Sequence, residues 1–202
     1  MVRPRGSALA DRCAEVYRNP LGTLFFVAER LAMDSADIGL LVLRLVVGLT
    51  FAAHGAQKAF GWWSGPGYAG WIGAIGNMGW RPARLWALVS IATELVAGLL
   101  LAIGLLTPLA AMALIGQSVV IVYGVHWPKG FWNAKGGWEF PISLAAGAVA
   151  IALTGPGAIS LDAALGLSVA DPVRLGLATL GLVGGLGSLA LKRLMTSRPA
   201  PG

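Results

Sequence analysis

The chain has 202 residues, 56% of them hydrophobic and 12% charged, with a formal net charge of +6. Soluble domains carry roughly 25% charged residues and about 45–50% apolar ones, so this composition argues against a soluble globule, and its hydrophobicity excludes a disordered chain. The single cysteine, Cys13, excludes an intramolecular disulfide, a CxxC redox pair and a cysteine-ligated zinc or iron–sulfur cluster, while basic residues set between apolar runs point to membrane-helix flanks and away from nucleic acid.

Residues 1–36 form a basic arm. Their apolar run, Leu21–Ala28, ends at Glu29 and Arg30, too short for a signal peptide. An amphipathic helix lying in the membrane interface, broken near Pro20, fits better. Arg3, Arg5, Arg12, Arg18 and Arg30 favour a cytoplasmic N-terminus, against the weight of Lys58, Arg81, Arg84, Lys129 and Lys135 at the opposite ends of the spans.

Four membrane spans are expected next. The first covers Ile38–Gln57 and is interrupted by Arg44; the second covers Leu85–Leu106 and is interrupted by Glu94. The third, Leu109–His126, is uncharged, and the fourth, Trp138–Thr154, is short with Glu139 at its start. No charged residue lies between Leu95 and Pro128, a stretch too long for one span. Thr107-Pro108 therefore marks a hairpin, with proline in the first turn of the third helix. A fifth span is expected at Leu175–Leu191, where Gly181 and Gly185 make a GxxxG pair suited to close helix packing. The expected fold is an all-α integral membrane four-helix bundle with a fifth C-terminal membrane helix and an N-terminal interfacial helix. Its parts are residues 1–36, 37–162 and 163–202.

The polar residues inside the spans carry most of the chemistry. Arg44 lies about 9 Å from one face and Glu94 about 14 Å from the other, at 1.5 Å per residue. An unpaired charge at such depth costs at least about 2.5–3.5 kcal/mol. An Arg44–Glu94 pair with Gln117 nearby is the economical solution, either as a salt bridge fixing helix order or as a proton or ligand site. Arg44, Gly48, Phe51 and Gly55 share a helical stripe that should face another helix, and His54, Gln57 and Lys58 are neighbours on the last turn.

The loops after spans one and three share a plan. Each starts with a histidine, His54 or His126, gives a lysine within four residues, then an aromatic pair and glycines. This is either a weak internal repeat or ordinary membrane-edge composition. Pressed together, the loops would form an aromatic, basic cap over one end of the bundle.

Arg44-Leu45, Gly48-Leu49, Phe51 and the string HGxQKxFG from His54 to Gly61, with Trp62, resemble the opening signature of the DoxX family. Arg81-Pro82, Glu94-Leu95, Gly98, Leu106 to Leu109 and the segment His126 to Glu139 extend the resemblance, which covers about Ile38–Asp162. It implies a small four-helix protein of the bacterial inner membrane, related to DoxD, a subunit of a thiosulfate:quinone oxidoreductase. Other members are linked to redox-stress complexes.

These readings lead to a subunit of a quinone-linked redox system. In it His54, Lys58 and Glu94 do the chemistry, with Arg44, Gln57, Trp62, Gln117, His126, Trp127, Trp138 and Glu139 as ligand-binding residues. A histidine donates to a carbonyl and exchanges a proton near neutral pH, Lys58 stabilises a developing oxyanion, tryptophans stack on the ring, and Glu94 and Glu139 carry protons. Quinone is the expected cofactor or substrate. A bis-histidine haem on His54 and His126 is disfavoured, because there is no second histidine pair and no CxxCH. A His54–His126–Glu139 metal set is not adopted either. The expected partners are the bilayer and a partner subunit. A non-enzymatic scaffold for a redox or oxidative-stress complex and a small-solute transporter stand as alternatives.

Overall fold

The computed structural model describes residues 35–196. The basic arm, its expected interfacial helix and Cys13 lie outside the described residues. Among the described residues the regular secondary structure is all helix, as the runs of apolar residues require in a medium where each backbone group must be satisfied within its own segment.

Helix α1, Ser35–Phe60, spans 26 residues, about 39 Å at the α-helical rise. A sharp turn leads into a shorter helix α2, Gly67–Asn77. Helix α3 runs over Ala83–Ile103, and a tight hairpin reverses it into α4, Thr107–Lys129. Helix α5, Glu139–Thr154, has only 16 residues. The one-turn helix α6, Leu161–Ala164, precedes the last helix, α7, Asp171–Thr196. Among the described residues α1, α3, α4 and α7 are long and apolar enough to cross a membrane. The expected fourth span is thus the shortest of the five, and the C-terminal helix is full length.

Glycines set the helix registers. A Cβ on Gly48 would lie 2.5 Å from the Gly98 carbonyl oxygen, and one on Gly55 would lie 2.5 Å from the Leu95 nitrogen. Rising numbers on α1 meet falling numbers on α3, so the two helices are antiparallel and in backbone contact. The stripe Arg44, Gly48, Phe51 and Gly55 is buried there, as its spacing predicts. Gly147 of α5 meets Val47, and the Phe140 ring meets His54, so α5 is also antiparallel to α1. The GxxxG pair works as expected: Gly185 packs on the Gly116 carbonyl and Gly181 on that of Met112, which makes α7 parallel to α4. The apolar core lies between α1, α3, α4 and α5, where Leu101, Ala111, Leu114, Ala148 and Ile151 are fully buried.

The hairpin end of the bundle is closed by a residue that pattern reading does not single out. Asp162 of α6 is buried, and its carboxylate accepts from the Leu106 nitrogen (2.7 Å) and the Thr107 nitrogen (2.9 Å). It caps N–H groups at the start of α4 that have no partner within the helix, from a distant part of the chain. The Arg44 guanidinium lies beside Gly104 and donates to the Ile159 carbonyl. The expected Arg44–Glu94 pair is therefore not formed. Glu94 is level with Gly55, 11 residues above Arg44 on α1, which is about 16 Å along the axis and beyond the reach of both side chains. Counting depth from nominal span ends misses this, because α1 continues to Phe60 and α3 starts at Ala83.

Helix α2 is also absent from the sequence expectation. Tyr68, Trp71, Ile72 and Ile75 carry helical spacing, but the glycines between them read as loop. Burial of Ile75 against Trp80 and Ala87 holds the helix in place.

Replacing Asp162 with alanine should leave the N–H groups at the start of α4 without their acceptor, a loss of about 1–3 kcal/mol. The unfolding midpoint of the purified protein in detergent should fall sharply for Asp162→Ala and less for Asp162→Asn, which keeps one acceptor. An unchanged midpoint in Asp162→Ala would refute this role.

Candidate functional site

Three of the residues that the sequence singles out converge in the other half of the bundle. Lys58 stands on the last turn of α1, Glu94 in α3 and Gln117 in the middle of α4. The Lys58 ammonium contacts both oxygens of the Glu94 carboxylate. Gln117 donates through Nε2 to Glu94 Oε1 at 2.8 Å and to Ser90 Oγ at 3.2 Å. Lys58 also reaches Ser90 Oγ at 3.5 Å and sits 4.4 Å from the centre of the Trp71 ring, a cation–π contact.

The local backbone suits this cluster. Residues Thr93–Ala97 form a π-helical turn within α3, the kind of one-turn widening that is common at functional sites. Ser90 lies one turn before Glu94, so the two side chains share a face. The Lys58 side chain is 14% exposed and that of Glu94 1%. A lysine near a helix end buries its methylene stem along apolar surface, and here it carries the charge down to the carboxylate.

The cluster borders a cavity of about 470 Å³ between α2, α3, α4 and α7. Lys58, Ser90 and Gln117 supply its polar patch, Trp71, Trp80 and Trp86 its aromatic end, and Met112 and Leu180 its opposite apolar end. The Trp80 and Trp86 rings are 4.6 Å apart, and Trp86 is held by a hydrogen bond to the Arg81 carbonyl. Among the described residues Lys58 is the only charged group in this lining, and Glu94 behind it balances its charge. Size, apolar walls and a few convergent polar groups are the usual marks of a small-molecule site.

The other predicted residues lie elsewhere. Arg44 is at the opposite end of the bundle. His54 shares a hydrogen bond with Gln57 (3.2 Å), stands 6.2 Å from Phe140, and lines a shallow groove on the outer side of α1 with Trp63. Trp62 is exposed and packs between Phe60 and Trp63. His126 Nδ1 bonds the Gly136 carbonyl at 2.7 Å; because a carbonyl only accepts, that nitrogen carries the proton. Glu139 accepts from the Asn133 nitrogen at 2.9 Å, and Trp127 stacks on Trp138 with centroids 5.4 Å apart. His126, Trp127, Trp138 and Glu139 thus fold their own loop. Among the described residues no ring pair joins this aromatic cluster to the one around Trp62, and no three His, Cys, Asp or Glu side chains gather as a metal site. Ser90 and the three slot tryptophans are the site residues that sequence reading passes over. Ser90 was signalled by its one-turn spacing from Glu94; the tryptophans needed the path of α2.

Removing one member of the buried pair strands the other. Lys58→Met or Glu94→Gln alone should cost about 3–5 kcal/mol, and the double variant should recover much of that loss. A double-mutant cycle on the detergent unfolding midpoint measures the coupling; strictly additive losses would mean that the pair contributes no coupling energy.

The DoxX family model matches residues 39–127. The chain is 30% identical over 132 residues to the inner membrane protein YphA of Escherichia coli (strain K12), covering 61% of this chain and 87% of that protein. It is 31% identical over 143 residues to the uncharacterized membrane protein Rv3486 of Mycobacterium tuberculosis (strain ATCC 25618 / H37Rv), covering 66% of this chain and 85% of that one. No solved structure matches it.

Proposed function

This chain belongs to the DoxX family of multi-pass inner-membrane proteins, and from that premise we propose that it serves a quinone-linked redox system of the thiosulfate:quinone oxidoreductase kind, holding the quinone headgroup in the slot beside Lys58. The observation that carries this reading is a hydrogen-bonded Lys58–Glu94–Gln117–Ser90 cluster on the wall of an otherwise apolar cavity.

The residues fit such a group. A quinone is a flat, neutral ring with carbonyl oxygens, and it dissolves in the bilayer. The slot is uncharged overall, flanked by aromatic rings and supplied with donors. Lys58 and Ser90 would hold one carbonyl oxygen, with Trp71 and Trp86 beside the ring. A bound quinone supplies reversible two-electron, two-proton chemistry. The chain's own part is electrostatic: an ammonium prearranged in a medium of low polarity stabilises negative charge on an oxygen far better than in water. Glu94 can receive the proton that the Lys58 ammonium gives up, which leaves both groups neutral, and the Gln117 donation holds the carboxyl group in place. Trp80 and Trp86, with α2 across that end, exclude water. His54 and His126 have no part in this slot, so the proton-exchanging role falls to the Lys58–Glu94 pair.

A docking role for a partner subunit is the second reading. It rests on the exposed indoles of Trp62, Trp63 and Trp132 at the loops.

Titration of the detergent-purified protein with a short-tailed benzoquinone, followed by quenching of tryptophan fluorescence, tests the first reading. Saturable quenching is expected. Lys58→Ala and the Lys58→Met/Glu94→Gln double variant should weaken it at least about tenfold, a change of about 1.4 kcal/mol, while His54→Ala leaves it as in the wild type. No saturable quenching, or binding that is indifferent to both Lys58 variants, would overturn the quinone reading and leave the docking surface.

A further inference from the structure

Helix α7 lies outside the residues that the family model matches, 39–127, yet it forms one wall of the slot. The groups that would hold a headgroup, Lys58, Ser90 and Gln117, are all inside the matched segment. The glycines of α7 divide into two kinds. Gly181 and Gly185 are buried against α4, where any Cβ would collide with backbone, so they fasten the helix. Gly184 also lines the slot, but a Cβ there would meet nothing within 4 Å. It therefore has no packing reason to lack a side chain, and its bareness keeps that part of the cavity open.

The direction of the slot gives this opening a meaning. From Gln117 the cavity runs along α4 to Met112 and along α7 from Ser188 to Leu180, the latter about 12 Å at the helical rise. The aromatic rings of Trp71 and Trp86 lie at the other end. One end is thus built for a flat ring with polar atoms, and the other for something slender and purely apolar.

We infer that α7 is the specificity wall of this site: the ligand carries an apolar tail that lies over Gly184, between Leu180 and Met112, so the C-terminal helix selects the tail while the family segment holds the ring. This rests on the quinone reading of the slot. The tail belongs to the molecule whose ring sits at Lys58, and Gly184 sets the room available to it.

Two probes separate the inference from the reading beneath it: a ring-only dimethoxy-methyl-benzoquinone and the same ring with a ten-carbon tail. Each is titrated against the wild type, Gly184→Leu and Gly187→Leu. Gly187 also has open space at its Cβ but does not line the slot. The wild type should bind the tailed probe more tightly than the ring alone. Gly184→Leu should weaken the tailed probe at least about tenfold, as expected when several methylenes lose their buried surface, and leave the ring-only probe within about twofold. Gly187→Leu should match the wild type for both, and the unfolding midpoint of Gly184→Leu should be unchanged. Equal loss of both probes in Gly184→Leu, or no loss of the tailed one, overturns the inference. So does a tail that adds no affinity in the wild type; in each case Lys58-dependent binding of the ring leaves the quinone reading standing. Should Gly184→Leu lower only the amount of co-purifying phospholipid, the wall belongs to a lipid chain and the inference fails. Binding of neither probe to the wild type refutes the reading and the inference together.

Discussion

A carboxylate inside a helical bundle in a membrane must be neutralised by its own protein, and the arrangement around Glu94 answers that constraint. Lys58 brings the charge, Gln117 brings a directed N–H, and Ser90 ties the two together. These contacts come from three elements, so the register of α1 against α3 and the placing of α4 must be right before any of them forms. Glycine makes that register attainable. At Gly48, Gly55 and Gly98 the backbones of α1 and α3 touch, which leaves Lys58 close enough to reach Glu94. In a bilayer, where lipid tails are as apolar as leucine, close packing of this kind replaces the hydrophobic effect as the force between helices.

The opposite end applies the same rule to the opposite charge. Arg44 is fully buried and donates to the Ile159 carbonyl, while the buried Asp162 nearby caps α4. One carboxylate thus joins two distant parts of the chain: the α3–α4 hairpin and the segment after α5. The two ends differ in what lies beside them. The Arg44 cluster is enclosed by Gly104 and Ile159 and serves architecture. The Lys58 cluster borders an open cavity and is available to a ligand. Burial alone does not separate a structural charge from a functional one; the adjoining space does.

That space is assembled from elements inside and outside the segment that the family model matches. Its polar patch and its α3 and α4 walls fall within the segment that defines the family, and its remaining wall is the C-terminal helix fastened by Gly181 and Gly185. The loops rich in tryptophan, which dominate the sequence to the eye, instead fold on themselves: His126 holds the Gly136 carbonyl and Glu139 holds the Asn133 nitrogen.

The membrane class, the all-helical fold, the hairpin at Thr107-Pro108, the buried stripe through Arg44 and Gly55, and the glycine contact of the last helix were all legible in the chain itself. Each depends on composition or on spacing within one helix, where geometry is known in advance. Lys58, Glu94 and Gln117 also stood out, because a polar group in an apolar run is conspicuous. Their partnership did not. Which charge meets which is decided by how far one helix is set along another: the register that puts Gly55 level with Glu94 leaves Arg44 about 16 Å below it and Lys58 within reach. Asp162 lay outside the spans and looked like loop, and α2 was hidden by its glycines. The slot depends on four helices at once, so no single segment shows it. Pattern along the chain determined what each helix is; only the tertiary structure, by setting register and bringing distant residues to one depth, decided which of their polar groups form a site.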